Sequence, residues 1–261
     1  MDSSLWVAKT GLDAQQRRMT VVANNLANVN TTGFKKDRAV FEDLLYQTIR
    51  QPGAQVGQGA NSPTGLVLGT GTRVVATEKI HSQGNMIQTD NALDLALDGD
   101  GFLQTLRQDG TIGYTRDGSL KLNNVGQLVT ANGNLLQPAV TIPNNARTIT
   151  IGKDGTVSVQ TFDQTQSQTV GNIQVANFIN PAGLQAMGGN VYVQTAASGE
   201  AQVLTPSQDG AGSLIQGSLE ASNVNVVESM VNMIETQRAY EVNSKAISAA
   251  DGMLRFINNN L

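Results

Sequence analysis

Residues 226–261 read VVESMVNMIETQRAYEVNSKAISAADGMLRFINNNL. An apolar residue recurs in this stretch at every seventh position: Val226, Met233, Tyr240, Ile247, Leu254 and Leu261. A seven-residue repeat places a narrow apolar seam along one side of a helix, and such a seam needs a partner. Asn225 can cap the first turn, and Glu228 completes a box-like pair three residues later. The stretch therefore predicts a helix that begins at Asn225 and runs to about residue 257.

The beginning of the chain has a matching repeat, formed by Leu5, Leu12, Met19 and Leu26. It predicts a helix over residues 1–29, because the Asn, Thr and Gly residues at 28–33 favour the left-handed turn that ends helices. The middle of the chain has no such repeat, so the simplest partner for one terminal helix is the other. We expect the two helices to pair as a coiled-coil-like stalk.

The second seam row of the C-terminal helix is polar, and its members are Gln237, Ser244, Asp251 and Asn258. Polar seam residues reduce the stability of a two-stranded coil while fixing its register. We therefore expect this helix to contact several neighbours rather than one.

The residues between the helices have β character from about 72 to 216. Short runs of Val, Ile, Thr and Leu are separated by turns at Asp98-Gly99, Asp109-Gly110, Asp117-Gly118, Gly126, Asn132-Gly133 and Asp154-Gly155. Such pairs supply the positive φ angles of tight hairpins, and their spacing of roughly eight residues predicts a meander of short antiparallel strands in a barrel or sandwich. A Gly-rich break at 181–190 is expected to divide two sheets.

These patterns predict a mixed fold, mainly β, with terminal α-helices and a central antiparallel β domain. Residues 1–30 and 223–261 form a discontinuous helical domain, residues 31–71 a connecting arm, and residues 72–222 a β-rich outer domain. Within the arm, the apolar-rich segment 39–50 is either helical or extended. Residues 51–65, with two Pro and no charged side chain, are expected to form a long loop or hairpin tip.

Composition excludes several classes of function. The net charge of −4 provides no broad basic field for nucleic acid, and the adjacent Lys35 and Lys36 are interpreted as a solvated face. The absence of Cys excludes disulfides and thiolate metal sites. No apolar run approaches the ~20 residues of a membrane span. Charged residues interrupt the N-terminal region, so we expect export without a cleaved signal peptide.

The sequence contains no convincing catalytic or metal-binding pattern. His81 is the single histidine, and the residues around it form no known nucleophile turn. An EF-hand loop with its glycine at Gly101 would need acidic ligands at Ala96 and Arg107, and neither position has one. We therefore predict no catalytic residue, no cofactor and no metal ion.

Four stretches resemble a known family. Residues 24–36 read NNLANVNTTGFKK, 114–120 read YTRDGSL, 126–133 read GQLVTANG, and 219–247 read LEASNVNVVESMVNMIETQRAYEVNSKAI. They resemble the axial proteins of the bacterial flagellum, the rod and hook subunits, over nearly the whole chain. The matching motif residues are Asn24, Asn25, Asn28, Gly33, Phe34, Tyr114, Arg116, Gly118, Ser222, Asn223, Val224, Arg238 and Tyr240.

The chain length and the run VFEDLLYQTIRQPGAQ at 40–55 resemble the distal-rod members of this family. In the family, an extra segment after the first helix distinguishes the stiff rod from the flexible hook. Here that segment covers about residues 46–63, and its matching residues are Tyr46, Gln47, Arg50, Gln51, Pro52 and Gly53.

The resemblance implies a structural subunit of the distal rod. Copies would stack helically into a straight, hollow, periplasm-spanning shaft that transmits torque from the motor to the hook. The seam residues of the paired helices would form the assembly interface. The partners implied are further copies of the chain, proximal rod subunits, hook or junction proteins, the surrounding P and L rings, and the flagellar type III export apparatus. Catalysis, nucleic-acid binding and membrane insertion are not expected.

Three alternatives remain open at this point. The first is another rod or hook subunit of the same family. The second is a β-rich surface adhesin on a helical stalk, which predicts a ligand site on the β domain. The third is an enzyme acting on cell-wall glycan, which predicts two essential carboxylates.

Overall fold

In a computed structural model of the chain, residues 3–52, 55–57, 60–61, 64–162 and 166–259 are described. The chain divides into two compact units. The first contains Met1–Ala27, Asp37–Glu78 and Asn225–Leu261, and the second contains Asn28–Lys36 and Lys79–Val224. The predicted three-part division, with boundaries at residues 30, 71 and 222, stays a prediction.

Two long helices lie in the first unit, α1 (Ser3–Ala27) and α2 (Val226–Asn259), and they pack against each other. The Asn225 Oδ1 atom accepts hydrogen bonds from the backbone N–H groups of Val227 and Glu228, at 3.0 and 3.2 Å. This cap fixes where α2 begins, as predicted. The predicted helices are confirmed over these ranges, while the predicted positions at residues 1 and 261 lie outside the described residues.

Over its described residues, the first unit also contains six short strands, which pair two by two. They are β1 (Asp37–Asp43), β2 (Tyr46–Arg50), β3 (Gln55–Gly57), β4 (Ala60–Asn61), β5 (Leu66–Gly69) and β6 (Thr72–Lys79). β1 pairs with β6, β2 with β5, and β3 with β4. The segment 39–50 is therefore extended, the second of its two predicted alternatives. Of the predicted loop at 51–65, residues 53–54, 58–59 and 62–63 lie outside the described residues.

The second unit is built from short antiparallel strands. They are β7 (Met86–Gln88), β8 (Leu95–Asp98), β9 (Phe102–Leu106), β10 (Ile112–Thr115), β11 (Lys121–Leu122), β12 (Leu128–Val129), β13 (Leu135–Gln137), β14 (Ala146–Ile151), β15 (Thr156–Thr161), β16 (Gln168–Asn172), β17 (Val175–Asn177), β18 (Gln185–Gly188), β19 (Val191–Val193), β20 (Gln202–Leu204), β21 (Ser213–Gln216) and β22 (Ser218–Glu220).

The largest sheet has the order β11-β12-β13-β9-β10-β19-β18, with β17 joining β9 and β20 joining β17. A second sheet contains β14, β15 and β16, while β21 pairs with β8 and β22 with β7. The prediction of a mainly β fold is confirmed. Either a barrel or a sandwich was predicted, and the described strands do not close into a barrel. The expected break at 181–190 is wrong, because β18 continues the largest sheet through its pairing with β19.

The predicted turns are largely confirmed. Gly99, Gly110, Gly126, Gly133 and Gly155 all have positive φ angles. The second unit buries an aliphatic core that includes Leu95, Leu136, Val157 and Ile173, and beside it an aromatic cluster with Phe102, Tyr114, Phe178 and Tyr192.

Gly118 differs from the other predicted turn glycines, because its φ is not positive and a side chain there would collide with the Leu95 carbonyl. Close backbone approach, rather than a hairpin turn, therefore requires glycine at this position.

Candidate assembly surfaces

The contact between α1 and α2 includes small and polar side chains. Ala14 of α1 and Ser229 and Thr236 of α2 are buried, and Gly11 faces the Asn243 side chain. A Cβ atom at Gly11 would lie 3.3 Å from the Asn243 Nδ2 atom. Small residues at these positions allow the helix backbones to approach closely.

One polar link joins the helices near the middle of α1. The Arg18 guanidinium donates a hydrogen bond to the Asn232 Oδ1 atom at 3.4 Å and lies 4.0 Å from the Glu235 carboxylate. These contacts are partly exposed, so they contribute to the alignment of the helices more than to stability.

An apolar stripe remains on the far side of α2. Its members are Val227, Met230, Val231 and Ile234, with exposed fractions of 70, 52, 50 and 48%. Their i, i+3, i+4 and i+7 spacing places them on one face, and a rotation of about 100° per residue puts this face opposite the buried Thr236. We call these four residues the outer stripe. α1 packs against the inner side of α2, so the outer stripe lies away from this helix contact.

The residues of the predicted seams are partly half-buried and partly exposed. The α1 members Leu5, Leu12, Met19 and Leu26 are half-buried, as are the α2 members Met233 and Ile247. The remaining α2 members, Val226, Tyr240 and Leu254, stay exposed. Their role in assembly stays a prediction. The sequence reasoning missed the outer stripe, although the i, i+3, i+4, i+7 pattern was present in the quoted stretch.

The second unit contains a buried cluster of charges that the sequence reasoning also missed. The Lys35 ammonium lies 2.6 Å from the Glu220 Oε1 atom, and both side chains are fully buried. The Arg116 guanidinium lies 3.4 Å from the Glu220 Oε2 atom. The interpretation of Lys35 as part of a solvated face is therefore wrong, because a carboxylate 185 residues away in sequence neutralises it inside the unit. We call Lys35, Arg116 and Glu220 the buried charge cluster.

Burial disfavours the charged form of the two cations in this cluster. It lowers the pKa of Lys35 and of Arg116, while the Glu220 carboxylate opposes both shifts. His81 lies nearby, and burial together with the charges of Lys35 and Arg116 lowers its pKa to about 4. The imidazole is therefore neutral near pH 7.

The described residues offer no metal centre and no membrane-spanning helix. No group of three or more His, Asp and Glu side chains among them is arranged to hold a metal ion. Neither α1 nor α2, over its described residues, is long and apolar enough to cross a membrane.

Comparison with known proteins gives three family matches and full-length relatives. Residues 5–35 match the flagella basal body rod protein family, 96–159 the flagellar hook protein FlgE/F/G D1 domain, and 215–260 the C-terminal region of the flagellar basal body rod FlgEFG proteins. The chain is 53% identical to the flagellar basal-body rod protein FlgG of Buchnera aphidicola subsp. Schizaphis graminum, covering 98% of each chain. It belongs to the FlgG family of flagellar basal-body rod proteins.

More distant FlgG proteins also align along their whole length. Identity is 48% with that of Caulobacter vibrioides, covering 97% of each chain. It is 38% with that of Bacillus subtilis, covering 97% of this chain and 96% of the relative. The chain is thus a structural subunit of the flagellar distal rod, and the resemblance to the flagellar axial proteins is confirmed.

The FlgG motif residues after α1 hold the chain where the helix ends. The side-chain amide of Asn25 donates to the Asp37 carbonyl at 2.8 Å, and its Oδ1 atom accepts from the Asp37 N–H at 2.8 Å. Gly33 has a φ of 67° and lies against the Arg116 backbone, which leaves no room for a side chain. Phe34 is buried beneath the Lys79 ammonium, 5.2 Å from the ring centroid.

The other motif residues differ in how far they are exposed. Tyr114, Arg116, Gly118 and Val224 are buried, while Asn28, Ser222 and Asn223 are half-buried. Asn24, Arg238 and Tyr240 are exposed. The exposed motif residues all lie on α1 or α2. The motif therefore contains both buried residues of the second unit and residues on the helix surfaces.

The rod-type segment is exposed over its described residues. Both strands of the β2–β5 hairpin are exposed along their length, and the segment residues Tyr46, Gln47, Arg50, Gln51 and Pro52 are exposed. Gly53 lies outside the described residues. Beside the hairpin, Leu45 is 89% exposed.

Proposed function

We propose that copies of this chain polymerise helically into a straight, hollow drive shaft that spans the periplasm and transmits torque from the motor to the hook. The protein performs no catalysis in this role. Its proposed neighbours are proximal rod subunits, hook or junction proteins and the P and L rings, and the flagellar export apparatus delivers it. Membership of the FlgG family supports each of these neighbours.

The outer stripe is the observation that carries the proposal. Four apolar side chains at consecutive turns of α2 stay exposed although the helix already has an intramolecular partner. A contiguous exposed apolar face on a protein marks an interaction surface. In a subunit of a rod, the nearest source of a complementary apolar surface is a neighbouring copy, and the seam residues Val226, Tyr240 and Leu254 extend the surface available to it.

The β2–β5 hairpin supplies a second contact in the proposal. A two-stranded hairpin is at best marginally stable in water. Apolar side chains on both of its strands, including Ile49, Leu66 and Val67, are exposed. Packing between copies would bury these side chains. A hairpin held between neighbouring copies would then stiffen the shaft.

Substitution in the outer stripe tests the proposal. Val231→Asp places a charge in the middle of the stripe and is expected to abolish polymerisation of the purified chain, because burying an unpaired carboxylate costs several kcal/mol. Electron microscopy and light scattering measure the polymer, and swimming of the mutant cells measures the function. The α2 helix remains folded because Val231 does not face α1.

Gln16→Asp is the matched control. Gln16 is exposed on α1 and belongs neither to the outer stripe nor to the predicted seams, so the variant introduces the same charge without removing an apolar contact. We expect it to polymerise. Normal polymers and normal swimming in Val231→Asp would contradict the proposal.

A further inference from the structure

The buried charge cluster joins three separate passages of the chain within the second unit. Residues 33–36 follow α1 in sequence, residues 80–84 precede the strands of the unit, and residues 220–223 precede α2. Glu220 receives a hydrogen bond from each of the other two passages. Its carbonyl accepts from the Gly33 N–H at 2.8 Å, and its Oε1 atom accepts from the Gly84 N–H at 2.8 Å.

Lys35 makes the same kind of connection from the first passage. Its ammonium donates to the Glu220 carboxylate at 2.6 Å and to the Ser82 carbonyl at 2.8 Å. One side chain of the first passage therefore bonds to both of the others. The Arg116 guanidinium approaches the second oxygen of Glu220 and lies 5.3 Å from the Phe102 ring centroid, which anchors the carboxylate to the largest sheet.

Asn223 repeats the three-way connection a few residues later. Its Oδ1 atom accepts from the Lys36 N–H at 2.7 Å, and its amide donates to the carbonyls of Ile80 and Ser82 at 2.8 and 3.1 Å. The Ile80 N–H in turn donates to the Lys36 carbonyl at 2.9 Å. The passages are thus held together by hydrogen bonds with defined directions.

The energetics of buried ions favour a role in alignment. Removing charges from water costs several kcal/mol for each ion, and well-packed apolar residues often stabilise a core as well or better. Loss of Glu220, in contrast, would leave two buried cations without their shared carboxylate. The cluster is therefore favourable in one arrangement and costly in every other, which makes it selective for the correct arrangement of the passages.

We propose that the buried charge cluster and Asn223 form a latch that aligns the passage leaving α1 with the passage entering α2. The latch closes when both passages are docked on the strands of the second unit, because Lys35 and Glu220 neutralise each other there. The two chain ends that continue into the helices are thereby ordered together. The latch acts on the passages and leaves the fold of the distant sheet β14–β16 unchanged.

Hydrogen exchange of the full-length chain, read by mass spectrometry, tests the latch. Lys35→Met removes one charge and keeps most of the apolar stem, while Glu220 keeps its contacts with Arg116 and Gly84. We expect exchange to accelerate about tenfold or more in peptides covering 33–36 and 220–223, since local opening exposes their amides. Peptides covering β15 are expected to exchange at the original rate.

A charge-coupling measurement distinguishes the latch from simple packing. Glu220→Gln preserves the size of the side chain but leaves two cations without their carboxylate, so we expect faster exchange in the passages than in Lys35→Met. The double variant Lys35→Met with Glu220→Gln removes one of those stranded cations. It is expected to exchange more slowly in the passages than Glu220→Gln alone.

Arg38→Met is the matched control, because Arg38 forms an ion pair with Glu78 at 2.8 Å that is exposed on both sides. It is expected to leave exchange in the passages unchanged. If Lys35→Met left the exchange rates of the passages unchanged, the proposed latch would be overturned. Equal acceleration of exchange in the passages and in β15 would overturn it as well. These measurements use the monomer, so their outcome is independent of whether the chain polymerises through the outer stripe.

Discussion

His81 illustrates how strongly a single side chain responds to its surroundings. Its ring lies edge-on to Phe102 and Tyr192, with centroid distances of 5.4 and 5.5 Å. Burial is the main cause of its lowered pKa, and the charges of Lys35, Arg116 and Lys79 add to the shift, while hydrogen bonding to the Pro181 carbonyl opposes it. The neutral imidazole fits this site, and the protonated one does not.

The lowered pKa predicts a specific loss of stability in acid. The pKa of His81 is about 4 in the folded chain against 6.5 as its ordinary value. Between these values the unfolded chain binds a proton that the folded chain does not, so the free energy of unfolding falls as the pH falls from 6.5 towards 4. The full effect is roughly 3 kcal/mol and is reached only below the folded-state pKa.

Urea unfolding at a series of pH values measures the effect, with His81→Phe as the comparison because it keeps a ring and cannot titrate. Carboxylates titrate in both proteins, so the difference between the two curves isolates the histidine. If the difference in unfolding free energy between the two proteins stayed constant from pH 7 to pH 4, the assigned pKa of His81 would be contradicted.

Single residues also show where sequence reasoning ends. Most of the turn glycines could be predicted, because positive φ is favoured locally in Asp-Gly and Asn-Gly pairs, but Gly118 of Asp117-Gly118 does not have it. Lys35 could not be assigned correctly, because its environment depends on Glu220, which lies far along the chain. A buried ion pair has no local sequence signal, and a lysine pair is usually solvated.

At the scale of elements, α2 presents two different faces. Its inner face carries the buried Ser229 and Thr236, and its outer stripe is apolar and exposed. The existence, the cap and the length of the helix could be predicted from the sequence. The orientation of its faces could not, because a straight helix drifts about 20° per heptad relative to a seven-residue repeat. The row from Val226 to Leu254 therefore combines exposed and half-buried positions.

The helix pair provides a prediction at this scale. Leu12→Asp and Ile247→Asp each place a carboxylate on a half-buried seam position, and we expect either change to block polymer formation while the second unit stays folded. Sedimentation measures the polymer, and near-ultraviolet circular dichroism of Tyr114 and its aromatic neighbours measures the fold of the second unit. Normal assembly of both variants would show that the seam is not an assembly interface.

At the scale of the whole molecule, the two units have different physical characters. The second unit buries aliphatic and aromatic cores and pairs its buried Lys35 and Arg116 with Glu220. The first unit leaves much of its apolar surface exposed on α2 and on the β2–β5 hairpin. This distribution fits the proposed polymer, in which neighbouring copies would cover the exposed apolar surface of the first unit.

Electron microscopy of basal bodies from cells that lack this protein tests the central claim most directly. The account predicts basal bodies that end at a short proximal rod and have no hook, because the distal rod subunit is missing. A complete rod without a hook would place the protein among the hook subunits. Intact flagella on these cells would contradict the assignment to the rod altogether.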